Sequence, residues 1–307
     1  MTDTTLTAAP KRGLANLFTG THGIRAGWGV AIFVLIAAAL IFGLNVGLHA
    51  IHFHSPKDAT GPGGPISSLF STGVLASVLL VATLVTALIE RRKLADLGLS
   101  LTNALPRFLQ GLFFGVAALA ALIGLLYVCG AIQISPIVLH GSDIWRFGGL
   151  WAAVFLLVGI GEELAFRTYL LQTIARGLNF RWACLIMAIL FTAAHGFNPG
   201  ETPIGLILVF VVAIVFALSV WRSGTIWWAL GFHAAWDWAQ SYLFGVADSG
   251  QPAIGSLVTS KAIGPDWLSG GATGPEGSIL ALVVLAAVTG VIFITLRKPD
   301  HDLGIKW

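Results

Sequence analysis

The sequence predicts an all-α protein: a polytopic membrane helix bundle of about eight transmembrane helices. Three observations predict it. Of 307 residues, 56% are hydrophobic and only 10% are charged, against roughly 25% charged in a soluble domain. A chain this long and this poor in charge cannot cover a water-facing surface. Eight stretches approach the roughly 20 apolar residues that cross a hydrocarbon core. The Lys and Arg residues outside them fall almost entirely on one side.

The eight stretches run approximately over 28–51, 67–89, 108–133, 147–174, 181–197, 203–221, 224–246 and 278–296. The fifth is short, and the fourth and seventh contain charges. Residues 1–26 read as a polar or mixed cytoplasmic tail without a cleavable signal, 27–297 as the membrane-embedded domain, and 298–307 as a second cytoplasmic tail. Thirteen basic residues share one side: Lys11, Arg12 and Arg25, then Arg91, Arg92, Lys93 and Arg107, then Arg176, Arg181 and Arg222, and finally Arg297, Lys298 and Lys306. Lys57, Arg146 and Lys261 lie on the other, and Arg167 lies inside a span. The positive-inside rule then places both termini in the cytoplasm. The same interspersed pattern removes nucleic acid as a partner, despite a pI near 9.1; the partners expected are the lipid bilayer and a peptide or protein substrate. Nothing in the sequence sets an oligomeric state.

Two non-cytoplasmic loops stand out. Residues 54–66 are rich in Pro and Gly, and 247–277 is long and rich in Gly, Ser and Pro. Both read as solvated connectors, although the longer one has the length to form part of an entrance lid. Gly43–Gly47 and Gly111–Gly115 have the spacing that lets helices approach closely. Cys129 and Cys184 sit in apolar stretches and read as small packing residues. His49, His52 and His54 cluster where the first span exits, and read as interfacial polar residues. Trp227, Trp228, Trp236 and Trp238 crowd the seventh span, chiefly for packing or lipid contact. Asn198 reads as a turn residue before Pro199.

Ionisable groups inside a bilayer cost about 2.5 kcal/mol or more each, so the few present carry information. The fourth span holds Glu162, Glu163 and Arg167, the fifth His195, and the seventh His233 and Asp237. Glu163 and Arg167 are four residues apart, as are His233 and Asp237, and Phe191 and His195, so each pair shares a helix face. Glu162 lies fourteen residues from Arg176 and His195 fourteen from Arg181, each about 21 Å at helical rise. Asp237 lies fifteen from Arg222, or about 22 Å. Three helices therefore deliver polar groups to one depth. A carboxylate there can act as general base toward water, with imidazole sharing the proton, and a second His with Asp can orient a carbonyl or stabilise an oxyanion. The same residues can hold a catalytic Zn²⁺ through Glu162, His195 and His233, with Asp237 as fourth ligand or support. The sequence leaves the metal-bound and metal-free versions open.

Gly161-Glu162-Glu163-Leu164-Ala165-Phe166-Arg167 resembles the EExxxR motif of the CPBP family, the CAAX-type prenyl endopeptidases and bacteriocin-processing (Abi) proteins. Phe191-Thr192-Ala193-Ala194-His195 is similar to its FxxxH, and His233-Ala234-Ala235-Trp236-Asp237 to its HxxxN or HxxxD. The resemblance covers about 145–247, the expected protease core. It implies an eight-helix intramembrane endopeptidase acting on a membrane-associated substrate, usually labelled a metalloprotease, in a bacterial inner membrane. By that analogy Glu162 and His195 activate water, His233 and residue 237 support the oxyanion, and Glu163 and Arg167 brace the site. Asp237 departs from the Asn of the eukaryotic members: a neutral amide donates to an oxyanion and an ionised Asp cannot, so Asp237 must be protonated, bind a metal or orient His233. The HExxH of zinc site-2 proteases, the full GxGD of aspartyl enzymes and a rhomboid-type Ser are absent. Two other classes fit the buried charges: a proton-coupled transporter, against which stands the lack of an inverted repeat, and a non-catalytic scaffold or immunity protein.

Overall fold

The computed structural model describes residues 15–20, 23–54, 56, 63–252 and 254–306. Lys11, Arg12 and Lys57, used in the charge count, lie outside the described residues, as does most of the 1–26 tail. The described residues form α1 (Ala26–Ala50), α2 (Pro65–Glu90), α3 (Ala104–Val128), α4 (Ser142–Phe166), α5 (Tyr169–Gly177), α6 (Phe180–His195), α7 (Pro203–Ser223), α8 (Trp227–Trp238) and α9 (Leu280–Thr295), beside a few one-turn helices. Five rods, with α4 and α5 taken as one, are long and apolar enough to cross a membrane, and α6 and α9 are shorter apolar helices. The architecture is a polytopic helical membrane bundle. Its outward surface is aliphatic and aromatic: Leu35, Phe42, Leu88 and Val128 are each more than two-thirds exposed, as a lipid-facing surface requires. β-structure is confined to short pairs, the larger joining β1 (Ile132–Ile134) to β2 (Ser260–Ala262) antiparallel.

Local chemistry sets the helix ends. Pro65 and Pro203 open α2 and α7 at positions that need no backbone donor. Thr202 caps α7 by accepting from Gly205 N at 3.1 Å, and Asn179 caps α6 by accepting from Trp182 N at 3.1 Å. The expected single span over 147–174 is broken. α4 ends at Phe166, Arg167 and Thr168 leave helical geometry, and the Thr168 hydroxyl bonds back to Leu164 O. α5 starts anew from Thr168, and its Tyr169 and Thr173 meet Glu90 and Arg92 at the end of α2.

The closest helix pair is α3 with α8. A Cβ on Gly111 would lie 2.2 Å from Trp228 O, and one on Gly231 2.1 Å from Phe108 O. Small residues thus let the two backbones touch, as the Gly111–Gly115 spacing anticipates. Gly43 and Gly47 meet nothing within 4 Å, so that pair serves no contact within the described residues. α8 is also shorter than its expected span. Its continuation, Ala239–Leu243, is a π-helical turn, a distortion that often marks functional positions. Trp228 is buried, and Trp227 and Trp238 donate to Ser100 O and Gly148 O. Cys184 is buried, whereas Cys129 is exposed where α3 ends, so only the former packs internally.

Candidate active site

Glu162 and Glu163 are adjacent on α4 and therefore point in different directions. Glu163 is fully buried and faces α8, where its Oε1 accepts from His233 Nδ1 at 3.0 Å. The same oxygen lies 3.4 Å from Arg167 Nη1, one helical turn on. Arg167 is 2% exposed and sits in an aromatic box, its guanidinium carbon 4.2 Å from the Phe191 ring centroid and 5.3 Å from that of Phe216. The box lowers the cost of burying the cation through the ring quadrupoles. Because a carboxylate only accepts, the bond to Glu163 puts a hydrogen on His233 Nδ1 and aims Nε2 the other way.

That nitrogen faces Glu162 Oε2 at 3.6 Å and Asp237 Oδ2 at 3.4 Å. Three carboxylates thus surround one imidazole on two helices that pack through Gly159 against Leu230. Glu162 Oε2 is buried and has no hydrogen-bond partner among the described residues; the same holds for Glu163 Oε2 and both terminal nitrogens of Arg167. Unbonded polar atoms at such density are costly in an apolar interior.

His195 is the last residue of α6. Its Nδ1 lies 2.9 Å from Phe191 O, an acceptor, so Nδ1 carries the hydrogen and Nε2 is left as an acceptor. The rings of Phe191 and His195 are 4.3 Å apart, as the four-residue spacing anticipates. Glu162, His195, His233 and Asp237 line one cavity of about 580 Å³, so the structure gathers the three motifs. Glu163 and Arg167 stand behind it. Trp151, Phe155 and Trp236 supply aromatic wall, and Asn198 also lines the space, so Asn198 and Trp236 do more than turn or pack.

The long loop contributes more than its composition suggests. Asp248, Ser249, Gln251, Pro252 and Glu276 line the same cavity, with Ser241 from the π-turn and Ser68 and Thr72 from the start of α2. The 247–277 segment is therefore a lid and not a free connector. It is fastened to the 196–202 loop: Thr202 Oγ1 lies 2.8 Å from Thr273 Oγ1, and Thr273 donates to Gly200 O. Neither Asp248 nor Glu276 belongs to a motif; the one signal for them was the length of the loop.

Among the described residues no three His, Cys, Asp or Glu side chains are gathered in ligand geometry, His49, His52 and His54 included. The bond from His233 Nδ1 to Glu163 leaves Nε2 free, the orientation a metal-ligating histidine also takes.

The fold and site define a polytopic membrane protein with a buried carboxylate–histidine centre beside a lidded cavity. Residues 144–239 match the family model described as Rce1-like, type II CAAX prenyl endopeptidase Rce1-like. That segment, under a third of the chain, holds all three motifs and is similar to the CPBP/CAAX proteases, a family of hydrolases. Neither the curated proteins nor the solved structures hold a match to the chain.

Proposed function

We propose that the chain is an intramembrane endopeptidase in which Glu162 is the general base. The observation that carries this reading is the buried, unbonded Oε2 of Glu162 in a cavity faced by two histidines. A water held between the Glu162 carboxylate and His195 Nε2 loses a proton to Glu162 as its oxygen attacks the scissile carbonyl. His233, its Nδ1–H held on Glu163, takes a proton from Asp237 on Nε2 and as an imidazolium donates from Nε2 to the resulting oxyanion; Glu163, itself braced by Arg167, keeps the ring in position. Glu162 then returns its proton to the leaving nitrogen, the C–N bond breaks, and a carboxyl and an amine product separate. Asp237 beside His233 Nε2 shares a proton with that nitrogen, a role an Asn could not fill.

The positive-inside assignment supports one side of approach. Arg91, Arg92, Lys93, Arg176, Arg181 and Arg222 mark the cytoplasmic end of the bundle. The cavity is rimmed by Ser68, Asn198, Asp248 and Glu276 from the opposite end, so the site is reached from the non-cytoplasmic face.

The test is Glu162→Gln beside His195→Ala, assayed on membrane-associated peptides in detergent, with metal content measured on the same samples. Loss of a general base predicts a fall of about 10²- to 10⁴-fold in turnover with unchanged folding. Unchanged cleavage by Glu162→Gln sinks the assignment. Stoichiometric Zn²⁺ in the wild type, lost from both variants, would replace the metal-free version with a metal-bound one.

A further inference from the structure

The cavity carries two carboxylates that hydrolysis does not require. Asp248 and Glu276 come from near the two ends of the lid and line the same space as Glu162 and Asp237. Glu276 is held in place: Ser249 N and Oγ both donate to its Oε1, at 2.5 and 2.7 Å. Asp248 is held by a backbone bridge to Gln251, its N–H 2.9 Å from Gln251 O, with the reverse bond at 2.8 Å. No Lys or Arg lines the cavity among the described residues. A second observation points to a ligand. Asp237 is 7% exposed and faces this space, yet accepts no hydrogen bond among the described residues; its ion-pair contact is His233 Nε2 at 3.4 Å.

Acidic groups are thus concentrated in the cavity with no Lys or Arg among its lining. Burial first, then Glu276 and Glu162, push the Asp248 carboxyl well above the usual carboxylate range. A cation brought to the mouth relieves this repulsion, and a neutral or acidic group does not. The opposite wall is apolar and aromatic, through Trp151, Phe155 and Trp236, and takes an apolar chain.

We infer that Asp248 and Glu276 are specificity-determining residues that seat a Lys or Arg side chain of the substrate, beside an apolar stretch lying along the aromatic wall. The inference rests on the reading of this cavity as the place of cleavage, but binding can be measured without cleavage. The probe is an acetylated, amidated Leu–Ala peptide carrying one Lys, compared with norleucine or Glu at the same position and with a free-amine peptide lacking Lys. Affinity is measured on full-length Glu162→Gln protein in detergent with chelator present, alone and combined with Asp248→Asn, Asp248→Lys or Glu276→Gln.

The Lys peptide should bind roughly ten- to a hundredfold tighter than the norleucine peptide, the range expected for charge-assisted hydrogen bonds. Asp248→Asn and Glu276→Gln should each shrink that ratio, and Asp248→Lys should turn the preference toward Glu. Equal binding of Lys and norleucine peptides by folded protein overturns the inference, as does a preference for the free-amine peptide over the Lys peptide. Should a variant fail to fold, the ratio on the Glu162→Gln protein alone still decides. Selective binding without turnover by the wild type would sink the hydrolase reading and leave this one standing; turnover without charge selectivity would do the reverse.

Discussion

The molecule handles buried charge in two ways, at two depths. At the end of α2 Glu90 has both oxygens taken. Tyr169 donates to one at 2.8 Å, Arg176 to the other at 3.2 Å, and Arg92 stands 3.6 Å away while donating to Thr173. Burial, then Arg176, pull Arg92 down to about 10, which still leaves it cationic at neutral pH. In the cavity the residue types are similar but the pairing is incomplete. Glu162 Oε2, Glu163 Oε2 and the ends of Arg167 have no hydrogen bond from the protein. Around Glu90 both carboxylate oxygens are bonded and Arg92 Nε is left over; in the cavity the carboxylate oxygens themselves lack a donor and stay open to something the protein does not supply. Burial alone does not separate structural from chemical charge; the pairing of the carboxylates does.

The largest effect is expected where pairing is fewest and burial deepest. Arg167→Met strands Glu163 beside His233 in an apolar interior, and should cost about 3–5 kcal/mol in unfolding free energy. It should also abolish turnover, because Glu163 then holds His233 less firmly. The double variant Glu163→Gln, Arg167→Met should recover stability without recovering activity. Thermal unfolding and peptide cleavage on the same detergent preparations check both. If the double variant regains turnover, the pair is not a positioning device.

Glu90→Gln probes the other region. It leaves an amide where both carboxylate oxygens are used, and should cost about 1–3 kcal/mol while turnover stays within about twofold of wild type, a change at the edge of assay precision. Loss of cleavage in a folded Glu90→Gln protein would break the distinction between the regions. Gly29 supplies an independent check on the packing there: a Cβ would lie 2.7 Å from both Glu90 Oε1 and the Tyr169 hydroxyl. Gly29→Ala should therefore destabilise by a similar or smaller amount, read by the same melts.

The two regions were unequally legible in the sequence. Glu162, Glu163, Arg167, His195, His233 and Asp237 stand out because charge is rare in apolar helices, and their four-residue spacings fix which faces they share. Apolar length likewise locates the helices. The break at Arg167–Thr168 did not show, because the residues around it are good helix formers and only the Thr168 hydroxyl competing for Leu164 O marks it. Asp248 and Glu276 were hidden for a different reason. They reach the cavity through the path of a long loop, and a loop has no periodicity from which to read direction. The contact of Glu163 with His233, between residues seventy apart, follows from α4 packing on α8 and from nothing local.

The smallest effect tests a paired charge in the C-terminal segment. Asp300 lies in the C-terminal segment that folds back under the bundle; Arg107 donates to both its oxygens, at 2.6 and 3.1 Å, and Asn103 donates at 2.9 Å. Burial alone would raise its carboxyl, but the bonds from Arg107 and Asn103 outweigh burial and hold it below the ordinary value. A depressed folded value means the ionised form favours the native state. The contribution is therefore complete above the unfolded carboxyl value of about 3.9 and is lost as pH falls through the folded value. Asp300→Asn should lower stability by roughly 1 kcal/mol or less at neutral pH, with the gap to wild type closing below about pH 4. Melting curves of both proteins over that range measure it. A gap that persists undiminished in acid would show that Asp300 holds the segment by shape and not by charge, and this end of the bundle would then owe less to its ion pairs than Glu90 suggests.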